Sequence, residues 1–241
     1  NFGFNATEGD PNHPLMTSSN FDRPHKFVAS IYGKPFPALT DTEISLLYTG
    51  QSGLPFSYVY RGDLNGDGYP ALGPAFDRFN DLIYAPNSAS ELPAGFATLA
   101  LLSTALERDP CLSAHRGEIL RRNDCRAPWE HRLDVRITHS IQAGGARVRF
   151  EADMINLLNF INSDWGAIQS IRSNVPLLEP SGRAESFTGV GKLFSRWAGG
   201  ALPARDEDGR LVPPDPWSIL TPDSQWQAQF GIRVTLGSNR R

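Results

Sequence analysis

Along several stretches of the chain, apolar and polar residues alternate with a period of two, the pattern of a sheet with two unlike faces. The clearest run is Arg147 to Leu157. There Arg147, Arg149, Glu151 and Asp153 point one way and Val148, Phe150, Ala152 and Met154 the other. Just before it, Leu133, Val135 and Ile137 alternate with Asp134, Arg136 and Thr138, and the intervening Gln142-Ala143-Gly144-Gly145 is a turn signal. The two runs are expected to form a hairpin with one charged and one apolar face. The last run has Trp226, Ala228, Phe230, Ile232, Val234 and Leu236 alternating with Gln227, Gln229, Gly231, Arg233 and Thr235. Its length matches the roughly 9–11 residues of a tilted membrane-crossing strand. An apolar face of this kind meets another sheet in a soluble sandwich and lipid in an outer-membrane barrel, and periodicity leaves both open.

Nearer the start, Lys26 to Gly33 and Thr42 to Gly50 read as two strands joined by the Pro35/Pro37 turn, and Phe56 to Arg61 as a short aromatic strand. Asn162 to Arg172 and Glu185 to Leu193 are further strand candidates. Leu92 to Glu107 is helix-like, and Pro203 to Pro216, dominated by proline and charge, reads as a long exposed loop. The fold class expected is all-β: an antiparallel meander of roughly eight to ten strands. It would be part of a barrel or an open curved sheet, with long loops and one short helix. A single domain over 1–241 is expected, with a long loop insertion at 62–128.

Composition narrows this picture. Hydrophobic residues make up 40% of the chain and charged residues 20%, enough for a core or a lipid-facing surface. The 22 glycines and 19 prolines favour turns over long helices. A net charge of -3 leaves no basic excess, which argues against a nucleic-acid partner. No stretch approaches the roughly 18 apolar residues of a membrane helix, so a bilayer would be met by a barrel or from the surface. The opening, Asn1 to Asn20, reads like the middle of a loop, so a processed chain or a piece of something longer is expected.

Cys111 and Cys125 lie in a polar, turn-rich segment. A metal site or redox pair lacks the CxxC spacing and further ligands it would need, so a disulfide closing a short loop is expected, as suits an oxidising envelope.

Several segments, taken in order, resemble a known family. Arg23-Pro24-His25-Lys26-Phe27-Val28-Ala29-Ser30 resembles the start of a late strand in large TonB-dependent outer-membrane receptors of the carboxypeptidase-regulatory-like, Oar type. Tyr48-Thr49-Gly50-Gln51-Ser52-Gly53-Leu54-Pro55-Phe56-Ser57-Tyr58 is similar to the strand and loop that follow there. Gly62 to Gly68 and Asn80 to Tyr84 look like their long extracellular loop, and Asp153-Met154-Ile155-Asn156-Leu157-Leu158-Asn159 resembles a strand-end pattern near their C-termini. The resemblance implies the C-terminal region of a barrel that, whole, has 22 strands and a plug. Family barrels usually finish on an aromatic residue, whereas this chain runs past Leu236 to Arg240 and Arg241.

Asp63-Leu64-Asn65-Gly66-Asp67-Gly68 follows the opening of a calcium loop, in which alternate oxygens surround a hard cation. The twelfth-position glutamate is replaced by Pro74, so Asp81 or Asp77 would have to complete the set. A polar turn capped by its own side chains accounts for the same residues. His131 and His139 are expected on the polar face of their strand, about 27 Å apart and too distant to share a metal. Arg121, Arg122 and Arg126 could meet an anionic head group or partner, though a solvated face accounts for them more simply. Trp129, Trp165, Trp197, Trp217 and Trp226 are candidate anchors, either at a lipid interface or against a protein partner.

No nucleophile elbow, phosphate loop or HExxH motif occurs, and no enzyme is expected. The function expected is that of a non-enzymatic envelope protein, part of a receptor-type barrel for uptake across the outer membrane. Its partners would be the remaining barrel and plug segments and lipid. The alternative is a periplasmic, membrane-extrinsic structural subunit derived from such a receptor, partnered by other subunits of a membrane complex.

Overall fold

The computed structural model describes residues 6, 13, 15–60, 80–88, 91, 99–180, 190–193, 204, 205, 207, 208, 211, 212 and 216–236. In chain order its first strands are β1 (Lys26–Gly33), β2 (Thr42–Gln51), β3 (Pro55–Tyr60), β4 (Tyr84–Ala85), β5 (Glu118–Ile119) and β6 (Cys125–Arg126). Next come β7 (Glu130–Ala143), β8 (Ala146–Ile155), β9 (Gln169–Ile171), β10 (Asn174–Pro180) and β11 (Val190–Leu193). The last are β12 (Ala204–Arg205), β13 (Leu211–Val212), β14 (Trp217–Ile219) and β15 (Gln227–Leu236). Helices are α1 (Leu99–Arg108), α2 (Pro110–Ala114), α3 (Leu157–Ile161) and α4 (Thr221–Ser224). The chain is thus mostly β, as its alternation predicts, and its largest sheet is open.

Where one domain over 1–241 was expected, two compact units form. The first comprises Asn1–Asp22, Leu54–Ala127 and Ser170–Ser218, and the second Arg23–Gly53, Pro128–Gln169 and Ile219–Arg241. The described residues between 80 and 127 fall in the first unit, together with those of 170–218.

The second unit is a five-stranded antiparallel sheet in the order β1-β2-β7-β8-β15. β7 and β8 meet through Gly144 and Gly145, whose φ values of 57° and 84° are those of a two-residue hairpin turn that matches strand twist. Only glycine takes two successive positive φ values cheaply. The turn sets Ala143 opposite Ala146, and the register then runs unbroken to Val135 opposite Met154.

The first unit is built round β3, every residue of which is buried. β3 pairs in parallel with β10 and antiparallel with β6. Buried on both sides, β3 shows no alternation, yet its aromatic run marks it as a strand. β10 escapes a sequence reading because Pro176 and Pro180 interrupt it, and its register shifts between Pro176 and Leu178. α1 turns Leu102, Ala105 and Leu106 into the core at helical spacing. Of the helix predicted over 92–107, residues 92–98 lie outside those described and the rest falls in Leu99–Arg108; α2, α3 and α4 are shorter helices that were not expected. Asp109 accepts bonds from the Cys111 and Leu112 N–H groups and so caps α2, while Pro110 takes the first-turn position that needs no donor. The buried Tyr58 hydroxyl also donates to the Asp109 carboxylate.

Among the other expected strands, only Gln169–Ile171 forms within 162–172. Val190–Leu193 forms at the end of the 185–193 candidate, whose first residues lie outside those described. The stretch 203–216, expected as loop, carries the small pairing of β12 with β13.

The expected disulfide is present, joining Cys111 of α2 to Cys125 of β6 beside the core. It closes a loop of 14 residues' separation. Replacing both cysteines by serine is expected to cost about 3 kcal/mol, read as a lower urea midpoint for the first unit. An unchanged midpoint would show that the bridge does not constrain the unfolded chain. Burial pushes the Tyr60 hydroxyl from its ordinary 10.0 to about 12. The fold therefore favours the neutral phenol, a contribution whole below pH 10 and lost as pH rises from there to about 12. Tyr60→Phe should remove about 3 kcal/mol of the stability lost over that range. An equal alkaline loss in variant and wild type would contradict this.

Candidate functional site

Cross-strand register assigns every side chain of the five-stranded sheet to a face, because paired residues point the same way. One face carries, from β1 outward, Ile31, Leu46, Val135, Met154 and Ala228 in a single row. The neighbouring row holds Ile44, Ile137, Ala152 and Phe230, and the rows beyond add Phe150, Ile232, Ile141, Val148 and Val234. The opposite face is charged. Arg136 meets Asp153 in a two-point ion pair at 2.5 and 3.0 Å, and Arg149 reaches Glu43 at 3.5 Å and Glu151 at 3.4 Å. Lys34 adds a contact to Glu43 at 3.8 Å.

The apolar face is not covered by the described residues. On the apolar face Phe230 is 82% exposed, and even the central-strand residues Ile137 and Phe150 are 43% and 41% exposed. On the charged face Arg136 is 59% exposed and lies over Asp153, whose side chain keeps 19% of its surface. Four inter-strand spacings by ten residues make this apolar face roughly 650 Å², just above the largest patch a soluble monomer ordinarily leaves uncovered.

The connections are equally lopsided. At one end of the sheet the links are 34–41 and the two-residue turn 144–145; at the other they are 52–129 and 156–226. Rings gather at the end with the long links. His25 stacks on Trp129, Trp129 on His131 and His131 on Tyr48, each pair with centroids 6.2 Å apart, and Phe27 lies 6.1 Å from Tyr48. The Tyr48 hydroxyl is 2.7 Å from His131 Nδ1, and Thr42 Oγ1 is 2.8 Å from His139 Nδ1.

Both histidines thus stand on the apolar face, which corrects their expected placement on the polar one. They share the parity of Leu133, Val135 and Ile137, and a tyrosine or threonine hydroxyl supplies the polar partner that lets them sit there.

Two knots hold this end of the sheet. Arg23 donates to the Ser52 carbonyl at 2.6 Å and to Glu130 at 3.1 Å, and Glu130 also accepts from Gln51 at 2.7 Å. Its partner Glu130 retains 8% side-chain exposure, so the pair is largely desolvated. Asn156, just past β8, is the second knot. It is 1% exposed and left-handed, with φ 56°. Its N–H donates to Asp134 at 2.8 Å, and its Nδ2 donates to the Gly166 and Ser224 carbonyls at 2.8 and 2.6 Å. Gly166 has φ 64°, and a Cβ there would lie 2.0 Å from Asn156 Oδ1, so the two residues require each other's identity. Neither knot is visible in periodicity; Arg23 and Asn156 stand out only in the segments that carry the family resemblance.

Among the tryptophans, Trp129, Trp165 and Trp226 are exposed at this end, whereas Trp197 lies outside the described residues and of Trp217 only the backbone, in β14, is described. Asp63, Asn65 and Asp67 of the calcium reading also lie outside the described residues. Asp81 is buried, and its carbonyl accepts from the Tyr60 N–H at 2.8 Å. Among the described residues no three His, Cys, Asp or Glu side chains could hold a metal ion. Of the three arginines near the disulfide, Arg126 pairs with Asp22, Arg122 donates to Asn20 at 2.9 Å, and Arg121 is exposed.

Asn156→Ala is expected to cost the second unit about 2 kcal/mol, because two buried carbonyls lose their donor and alanine tolerates the left-handed backbone poorly. A wild-type urea midpoint in that variant would mean the knot carries no stability. Compared with known proteins, the chain matches no family model, and no curated protein or solved structure matches it.

Proposed function

We propose that this chain is wall and loop of an outer-membrane β-barrel of the TonB-dependent receptor kind, serving uptake of a bulky solute without bond-making chemistry. The observation that carries this reading is the pair of unlike faces of the β1-β2-β7-β8-β15 sheet, one of large exposed apolar side chains and the other of cross-strand ion pairs. In a barrel wall the first face meets acyl chains and the second lines the lumen.

Ten residues of β8 at about 3.3 Å each, tilted as barrel strands are, span roughly 25 Å, the height of such an apolar band. Short turns at one end and long links at the other are the usual sidedness of these walls, with the short turns on the periplasmic side. The ring cluster at the long-link end suits an aromatic girdle. A disulfide within one of the long links suits an oxidising exterior.

Among the described residues no strand covers the outer edge of β1 or of β15. In the barrel reading the remaining wall strands cover them, with a plug inside. The same open edges favour a second reading, a membrane-extrinsic periplasmic subunit whose edges and apolar face are covered by a larger complex.

Extraction of membranes separates the two. The barrel reading expects the chain to resist alkaline carbonate and high salt and to leave only with detergent. Release by carbonate would overturn it in favour of the extrinsic subunit.

A further inference from the structure

Between the start of β7 and the segment that follows α3, the second unit holds a cavity of about 320 Å³, the size of a small-ligand pocket. Trp129 and His131 line one side, and Asp164, Trp165, Gly166 and Gln169 the other. Both sides are held in place by the protein itself. The Trp165 N–H donates to the Asn162 carbonyl at 2.9 Å, and the Trp165 carbonyl accepts from Asn159 Nδ2 at 3.1 Å. The Gly166 carbonyl accepts from the buried Asn156 at 2.8 Å. Across the cavity, the Trp129 ring lies within 5° and 15° of parallel to those of His25 and His131, and the Tyr48 hydroxyl fixes His131 Nδ1. A wall ordered in advance lowers the entropic cost of binding.

The polar groups of this wall are acceptors without donors. Asp164 is exposed, and only its N–H is engaged, by Asn162 Oδ1 at 2.8 Å; among the described residues its carboxylate has no partner. Gln169 Oε1 is covered by protein yet accepts no hydrogen bond within it, the kind of orphan that calls for an explanation. Neither lysine nor arginine lines the cavity.

These groups select by charge. Indole faces attract cations through their quadrupole, a carboxylate attracts them directly, and an amide oxygen accepts an N–H. An anion would meet the Asp164 charge with no basic side chain to offset it. A neutral sugar could lie on the rings but would gain nothing from that charge.

We infer that this cavity binds an alkylammonium group, with Asp164 as its counter-ion and Trp129 and Trp165 as the aromatic wall. Gln169, whose amide no internal bond restrains, accepts one of its N–H groups. The site is built within the second unit alone, so it stands or falls independently of the barrel reading.

The test uses the full chain in an uncharged polyoxyethylene detergent, isotope-labelled at its indole nitrogens. The Trp129 and Trp165 resonances are assigned with Trp129→Phe and Trp165→Phe. The probe is n-butylammonium chloride, with sodium chloride balancing ionic strength and butan-1-ol and glucose as uncharged controls. Both resonances should shift saturably at millimolar amine and stay in place with either control. Asp164→Asn, which alters an exposed carboxylate that holds nothing in the fold, should weaken binding about fivefold. Trp165→Ala should weaken it by about the same factor.

No saturable shift, an equal shift with butan-1-ol or glucose, or wild-type affinity in Asp164→Asn overturns the site. Phosphatidylethanolamine added to the micelles identifies the source of the amine. Competition by that lipid, and not by phosphatidylglycerol, assigns it to a head group; amine binding that the lipid leaves unchanged assigns it to a free solute. Either result supports the site.

Discussion

The hydrogen-bonded register between β7 and β8 is the constraint on which the sheet's character depends. Because side chains alternate faces, setting Val135 opposite Met154 and Arg136 opposite Asp153 sorts all five strands into an apolar and a charged surface. A slip by one residue would bury Phe150 and Met154 among arginines and expose Asp153 without Arg136. The ion pairs are thus consequences of register as much as contributors to it. With one face so apolar and the other so charged, slipped pairings are heavily disfavoured.

The first unit follows a different logic. Its strands are short, so its core leans on aromatic residues of β3 and on α1, and its order leans on polar devices. Asp109 serves two of these at once, capping α2 and accepting the Tyr58 hydroxyl. Asn123, left-handed and buried, accepts from Ser57 and donates to the Ser18 carbonyl at 2.6 Å and to Asn20 at 2.9 Å, drawing an early segment onto the unit. The disulfide then closes the loop between α2 and β6.

Much of the long sheet was legible in the residues. β7, β8 and β15 were readable because their two faces differ, and the Gly144-Gly145 pair marked their turn. What escaped did so for physical reasons. β10 carries prolines, and β12 and β13 are two-residue strands with no room for a period. His131 and His139 look polar by type, yet their parity with Trp129, Leu133 and Ile137 placed them on the apolar side. The Asn156–Gly166 knot depends on two left-handed residues ten positions apart, and no periodic signal reports that. The division into two units was hidden because the first is assembled from separated segments of chain.

The two-residue turn also orders assembly in time. Bringing β7 onto β8 closes a loop of two residues, whereas bringing β2 onto β7 closes the link 52–129. Loop-closure entropy, growing as the logarithm of length, makes the second step costlier by about 3 kcal/mol if that link is still a flexible coil. The β7–β8 hairpin is therefore the natural seed of the sheet. Folding the first unit beforehand shortens the coil that must be closed, which couples the formation of the disulfide-bearing unit to the rate at which β2 finds its place.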